Sequence, residues 1–171
     1  ESVVDYATET IKTADAITKQ NKSLKLLELQ QVRIREQSDR DAENQRQIRD
    51  DDRINIDDRI AANVKLGEIL ETQQQAEQKT VTDRIAALQL QQQELGFTQE
   101  RYLEIFALNT ELIAIEAQQA GFKSEQQINE NSLLREKQDL IDADIAKGKE
   151  IIASDKKIAA EKKKAKDKKE K

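Results

Sequence analysis

A chain of 171 residues with no proline, and with only four glycines standing far apart at positions 67, 96, 121 and 148, has few places to turn. Proline fixes φ and stops helices, and glycine opens the backbone conformations that tight turns need. A chain short of both folds into few, long elements. The residues that fill it are mainly Ala, Glu, Lys, Gln, Leu, Arg and Ile, which suit helices and are typical of long or coiled ones. Aromatic residues are limited to Tyr6, Phe97, Tyr102, Phe106 and Phe122, too few to fill a broad core. The fold expected is all-α, with extended helices forming a coiled coil or slender helical bundle, and non-globular.

Apolar residues recur at helical spacing in three stretches. Val4, Ala7, Ile11 and Ala14 step by three and four, and Leu24, Leu27, Gln31 and Ile34 repeat the pattern. Residues 35–53 hold only Ala42 and Ile48 as apolar members and read as a solvated, mobile stretch of helix. From Val81 the alternation is long and in one register: Val81, Ile85, Leu88, Gln92, Leu95, Gln99, Tyr102, Phe106, Asn109, Ile113, Glu116 and Ala120. Val81, Ile85, Leu88, Leu95, Tyr102, Phe106 and Ile113 are the expected oligomer seam, in which the polar members would fix register at a cost in stability. Leu103, Ile105, Leu108, Leu112 and Ile115 widen the stripe, so Arg101–Ala117 is the most core-like segment. A thinner line of Leu134, Gln138, Ile141, Ile145, Gly148 and Ile152 follows and dissolves into lysine-rich sequence.

The clearest interruption is Asp50-Asp51-Asp52. Acids at a helix C-terminus meet the negative end of its dipole, whereas acids in a first turn are favoured. Asn55 is a good N-cap, with Asp58 three residues on. Thr80 and Asp83 have the same spacing and are expected to cap a further start. The expected divisions are therefore 1–50, a helix with a polar second half; 51–56, an acidic break and cap; 57–154, a long coiled-coil helix; and 155–171, a Lys/Glu-rich basic helix or linker. Two short patterns each occur twice, with the same offset between copies: Asp-Arg-Ile-Ala-Ala at Asp58–Ala62 and Asp83–Ala87, and Gln-x-x-Gly-Phe-x-x-Glu at Gln93–Glu100 and Gln118–Glu125. A degenerate duplication and biased composition both produce such pairs.

Composition argues against most chemistry. With no His and no Cys there is no Ser-His or Cys-His nucleophile and no thiolate metal site. The isolated glycines cannot form a phosphate-cradling loop. The acids of Asp50–Asp58 lack the turn glycine and terminal glutamate of a calcium loop. No catalytic residue, cofactor, metal or small-molecule substrate is expected, and the chain is not read as an enzyme. No apolar run approaches the ~20 residues that a membrane span needs. Lys156–Lys171 carries nine lysines against Glu161, Asp167 and Glu170, which leaves residues 1–155 net acidic by eleven within an overall charge of −5. The basic end lacks arginine for base readout and aromatics for stacking, so nucleic-acid contact there would be at most non-specific. The first residues, Glu1-Ser2-Val3-Val4, already look helical and carry no initiator methionine, which reads as an internal piece of a longer protein.

Asp57–Glu71, reading Asp-Asp-Arg-Ile-Ala-Ala-Asn-Val-Lys-Leu-Gly-Glu-Ile-Leu-Glu, resembles a segment of bacteriophage tail tape measure proteins, most nearly those of phages that infect Bacteroidetes-type bacteria. Members of that family often carry an acidic turn and then a Ser- or Asn-capped helix that begins Asp-Arg-Ile-Ala-Ala-Asn. Here Asn55 stands where Ser is common. A long Gln/Glu/Ala/Leu helix and a Lys/Glu/Ala-rich stretch follow, as in Ala87–Gln93 and Glu161–Lys171. The resemblance implies a virion structural protein of the tail tube lumen, assembled in the host cytoplasm. It would set tail length during assembly and leave ahead of the DNA at ejection. Its implied partners are further copies of itself, a trimer before a hexamer, together with tail tube and tail-tip proteins. Fully helical and straight, the chain would span roughly 257 Å. The competing expectations are a generic coiled-coil scaffold or tether of a bacterial cell, and a hairpin in which residues 3–50 turn back at Asp51–Asn55.

Overall fold

The computed structural model describes the backbone of residues 3–167 and the side chains of residues 12–163. The expected seam positions Val4, Ala7 and Ile11, and the lysine-rich end from 164 on, lie outside the described side chains. Three helices account for nearly all of the described chain: α1 (Val3–Asp50), α2 (Ile56–Leu95) and α3 (Gln99–Asp167). At ~1.5 Å per residue their 48, 40 and 69 residues measure about 72, 60 and 104 Å.

The chain is all-α, as its composition requires, but it is not one straight rod. It reverses twice, and α2 lies between α1 and α3. Hydrogen bonds from Gln91 to Asn21, Arg84 to Glu28, Arg35 to Glu77 and Gln73 to Asp39 lie on one antiparallel register, since each pair's numbers add to the same total. Arg84–Glu104, Lys123–Glu71 and Arg59–Glu136 place α3 antiparallel on the other side of α2. Among the described residues α1 and α3 make no close backbone approach to each other.

Local chemistry makes both reversals. At the first, the backbone N–H and the guanidinium of Arg53 both donate to the Asp51 carboxylate, and Ile54 N–H donates to Asp51 O at 3.1 Å. Asn55 then caps α2: its Oδ1 accepts from Asp58 N–H at 2.9 Å, and its Nδ2 donates back to the Asp58 carboxylate. At the second, Gly96 takes φ +86° and ψ 169°, a region essentially confined to glycine. Thr98 starts α3, its Oγ1 accepting from Arg101 N–H at 3.3 Å. Each turn is also closed by an arginine in the first turn of the next helix. Arg59 Nε donates to Arg49 O, and Arg101 Nη1 donates to Gly96 O and Gln91 O. Arg49 O and Gly96 O lie at helix ends, where no intrahelical N–H reaches them, so the arginines satisfy carbonyls that the helices leave free.

The stretch 57–154, expected to be a long coiled-coil helix region with a further start at Thr80, is therefore two helices that reverse at residues 96–98. The polar half of α1 is also not free in solvent. Ala42 is buried with Leu66 and Leu70 of α2, flanked by Ile69 and Phe122. A second apolar cluster joins Val81, Ile85 and Leu88 of α2 to Leu108 and Ile115 of α3, with Ile105 and Leu112 against it.

Candidate interaction surfaces

The two Asp-Arg-Ile-Ala-Ala copies have one structural role. Arg59, in the first, joins the end of α1 to α3: besides Arg49 O it holds Glu136 Oε1 at 2.5 Å, with only 12 % of its side chain exposed. Arg84, in the second, holds Glu28 of α1 at 3.2 Å and Glu104 of α3 at 2.8 Å. The offset between copies makes about 6.9 helical turns, so both present the same face of α2. Ala62 and Ala87, the last residue of each copy, are both buried where neighbouring helices come close. The planar, multi-donor guanidinium suits an arginine to bridging two carboxylates or carbonyls on different helices.

The expected seam is divided. Val81, Ile85 and Leu88 are taken up inside the chain, whereas Leu95, Tyr102, Phe106 and Ile113 are exposed. The reversal at Gly96 is the cause. Once the chain turns, the register begun at Val81 cannot continue straight on, and α3 instead buries the neighbouring line of Ile105, Leu108, Leu112 and Ile115. Phe97 is exposed and lies 6.0 Å from Tyr102, ring centre to ring centre. Thr80 and Asp83 do not cap a helix. They lie inside α2, where Thr80 Oγ1 donates to Ala76 O and Asp83 accepts from Lys79 Nζ at 2.7 Å. A threonine within a helix commonly bonds back to the carbonyl four residues earlier, so its hydroxyl is already engaged and marks no start. The cap that starts α3 is Thr98. Its signal in the sequence is glycine, then threonine two residues on, then Glu100 in the first turn.

Between α1 and α3 runs an open groove of about 640 Å³, floored by Glu77 and Val81 of α2 and walled by Val32 and Arg35 on one side and Leu108 and Ile115 on the other. Glu77 is buried and accepts from Arg35 at 2.8 Å. Deeper along α2, Asn63 Oδ1 and Gln74 Nε2 are buried without a hydrogen-bond partner. Such polar positions weaken the packing of long helices but penalise slipped registers.

The strongest electrostatic perturbations are at the α1–α2 turn. The hydrogen-bonded guanidinium of Arg53 holds the Asp51 carboxyl down to about 2, helped by the Arg53 backbone N–H. Arg49 does the same in direction for Asp50, and each arginine is raised in return by the carboxylate it binds. These are structural pairs rather than reactive ones. Among the described residues no group of three or more acidic, His or Cys side chains is placed to hold a metal ion. No described helix is long and apolar enough to cross a membrane.

The last surface is the far half of α3. Residues 139–147 and 149–163 are all exposed, because α2 begins opposite the region around Lys137 and nothing among the described residues lies beyond it. Leu134, Ile141, Ile145 and Ile152 form an uncovered apolar line there. Comparison with protein-family models, with curated proteins and with solved structures finds no match to this chain.

Proposed function

We propose that this chain is a structural spacer, a helical segment of a phage tail tape measure protein that occupies the tail tube lumen and converts residue number into length. The observation that carries the proposal is the build itself: long helices joined by two tight turns and held by narrow seams and arginine bridges. Each helix of that build contributes about 1.5 Å per residue along its own axis. The resemblance of Asp57–Glu71, with Asn55 as its cap, supplies the tail context. In that role the chain works beside further copies of itself and the tail tube and tail-tip proteins, and it leaves the lumen ahead of the DNA.

The folded arrangement favours a second reading as well. With α1 and α2 laid against α3, the segment spans roughly 125 Å, the length of α3 plus the start of α1 that projects past α2, rather than roughly 257 Å. A compact strut of that kind suits a scaffold or tether of a bacterial cell. Tail tube and tail-tip genes beside the parent gene favour the ruler, and their absence favours the scaffold.

The direct test is to delete residues 3–167 in frame from the parent gene and measure tails by electron microscopy. A ruler that holds this segment folded shortens the tail by roughly 125 Å, and one that extends it as a single straight helix shortens it by roughly 248 Å. Tails of unchanged length contradict a ruler.

A further inference from the structure

We propose that the unsupported half of α3 is a self-association surface, on which a second copy of this chain pairs antiparallel through the same residues. The surface begins at Leu134. Its neighbour Leu133 is buried against α2, whereas Leu134 is exposed and starts a line that leaves the flank of α2 and continues through Ile141, Ile145, Gly148 and Ile152. These positions follow the three- and four-residue spacing by which two helices interlock side chains. The isoleucines are 43–57 % exposed.

Charge selects the occupant. Residues 138–146 carry three acids, Asp139, Asp142 and Asp144, and no base. Reversal about the end of that stretch sets residues 147–163, with six lysines against three acids and a net charge of +3, opposite residues 130–146, which hold five acids against Arg135 and Lys137 and are net −3. A helix with this division repels a parallel copy and attracts an antiparallel one, because reversal sets each acidic stretch beside a basic one. Pairing about a point between Ala146 and Lys147 places Ile141 opposite Ile152, Leu134 opposite Ala159, and Asp144 beside Lys149, each twice by symmetry. Such an interface uses one patch on both molecules and therefore closes at two copies.

Gly148 fits the same arrangement. A side chain added there meets nothing of its own chain within 4 Å, so no intrachain packing requires a glycine at that place. In the antiparallel pair Gly148 lies opposite Ile145 of the second copy, and the missing side chain leaves room for the isoleucine and for close approach of the two helices.

Sedimentation equilibrium of the full chain tests the pairing. The expected species has twice the 19.6 kDa chain mass. Substituting Ile145→Asp together with Ile152→Asp, at positions that are exposed within the chain, should return the single-chain mass with helical content unchanged. A spin label at Ser154→Cys reports direction: antiparallel pairing sets the two labels about 25 Å apart, whereas parallel pairing sets them about 10 Å apart. A single-chain mass at high protein concentration overturns the proposal. So does a double mass that survives both aspartates. A label separation at the parallel value also overturns it, as does one far beyond the antiparallel value, the sign of a helix lying in the α1–α3 groove of another copy.

Discussion

Gly96 and Gly121 stand in the same local sequence and do opposite things. Both fall in a Gln-x-x-Gly-Phe segment, yet Gly96 ends a helix at φ +86° while Gly121 continues one. The residue two places on separates them. Thr98 offers an Oγ1 to the first turn of α3, whereas Lys123 has no such acceptor and reaches 4.0 Å toward Glu71. Alanine should therefore act with opposite sign at the two sites. Gly96→Ala forces a side chain into a backbone region that only glycine tolerates and is expected to cost about 1–3 kcal/mol. Gly121→Ala meets open space in an exposed helix and is expected to gain up to about 1 kcal/mol, since glycine is the poorer helix former. Urea midpoints of the two variants check this, and equal shifts of one sign would contradict it. In the sequence Gly96 reads as a local relaxation with Phe97 filling the seam, because a lone glycine does not declare a turn until the cap beyond it is weighed.

At the scale of elements, the α1–α2 connection is legible in the sequence in one direction only. Asn55 and Asp58 mark the start of α2 because capping is a local matter of a side-chain oxygen and a nearby backbone N–H. The end of α1 and the return of the chain depend on groups distant in sequence. Arg59 reaches back to Arg49 O, and Glu136, 77 residues on, holds its other end. The polar half of α1 reads as solvated for the same reason: its supports, Arg35 on Glu77 and Ala42 between Leu66 and Leu70, exist only when the partner helix is in place. Three acids in a row survive at the turn because Arg49 and Arg53 bind two of them. That dependence has a pH signature. A carboxyl whose folded value lies below its unfolded one stabilises the fold above the unfolded value, and the contribution is lost as pH falls through the folded one. For Asp51 the window runs from the ordinary 3.8 down to about 2. Asp51→Asn keeps an oxygen for Arg53 N–H but loses the charge. Its thermal midpoint, followed by circular dichroism, should fall less between pH 4 and pH 2 than that of the unaltered chain. An equal fall in both would place the acid sensitivity elsewhere.

For the whole molecule, what the sequence dictates is helix, and what tertiary pairing decides is direction. The register from Val81 to Ala120 reads as one continuous seam because side-chain spacing is indifferent to a reversal between two helices that keep the same period. The apolar residues of Arg101–Ala117 offer two adjoining lines, and reversal at Gly96 buries Ile105, Leu108, Leu112 and Ile115 and leaves Tyr102, Phe106 and Ile113 outside. The two Asp-Arg-Ile-Ala-Ala copies gain meaning only in the folded form, where Arg59 and Arg84 span α1 and α3 across α2. Central to that form is the antiparallel placement of α1 along α2. Spin labels at Leu26→Cys and Ala86→Cys, both exposed and directly opposed on the register of Glu28 with Arg84, measure it. Electron–electron distances in dilute protein should centre at roughly 20 Å, as for side chains on adjacent helices whose axes are about 10 Å apart. A separation of roughly 90 Å, the length of an uninterrupted helix between the two labelled positions, would contradict the fold.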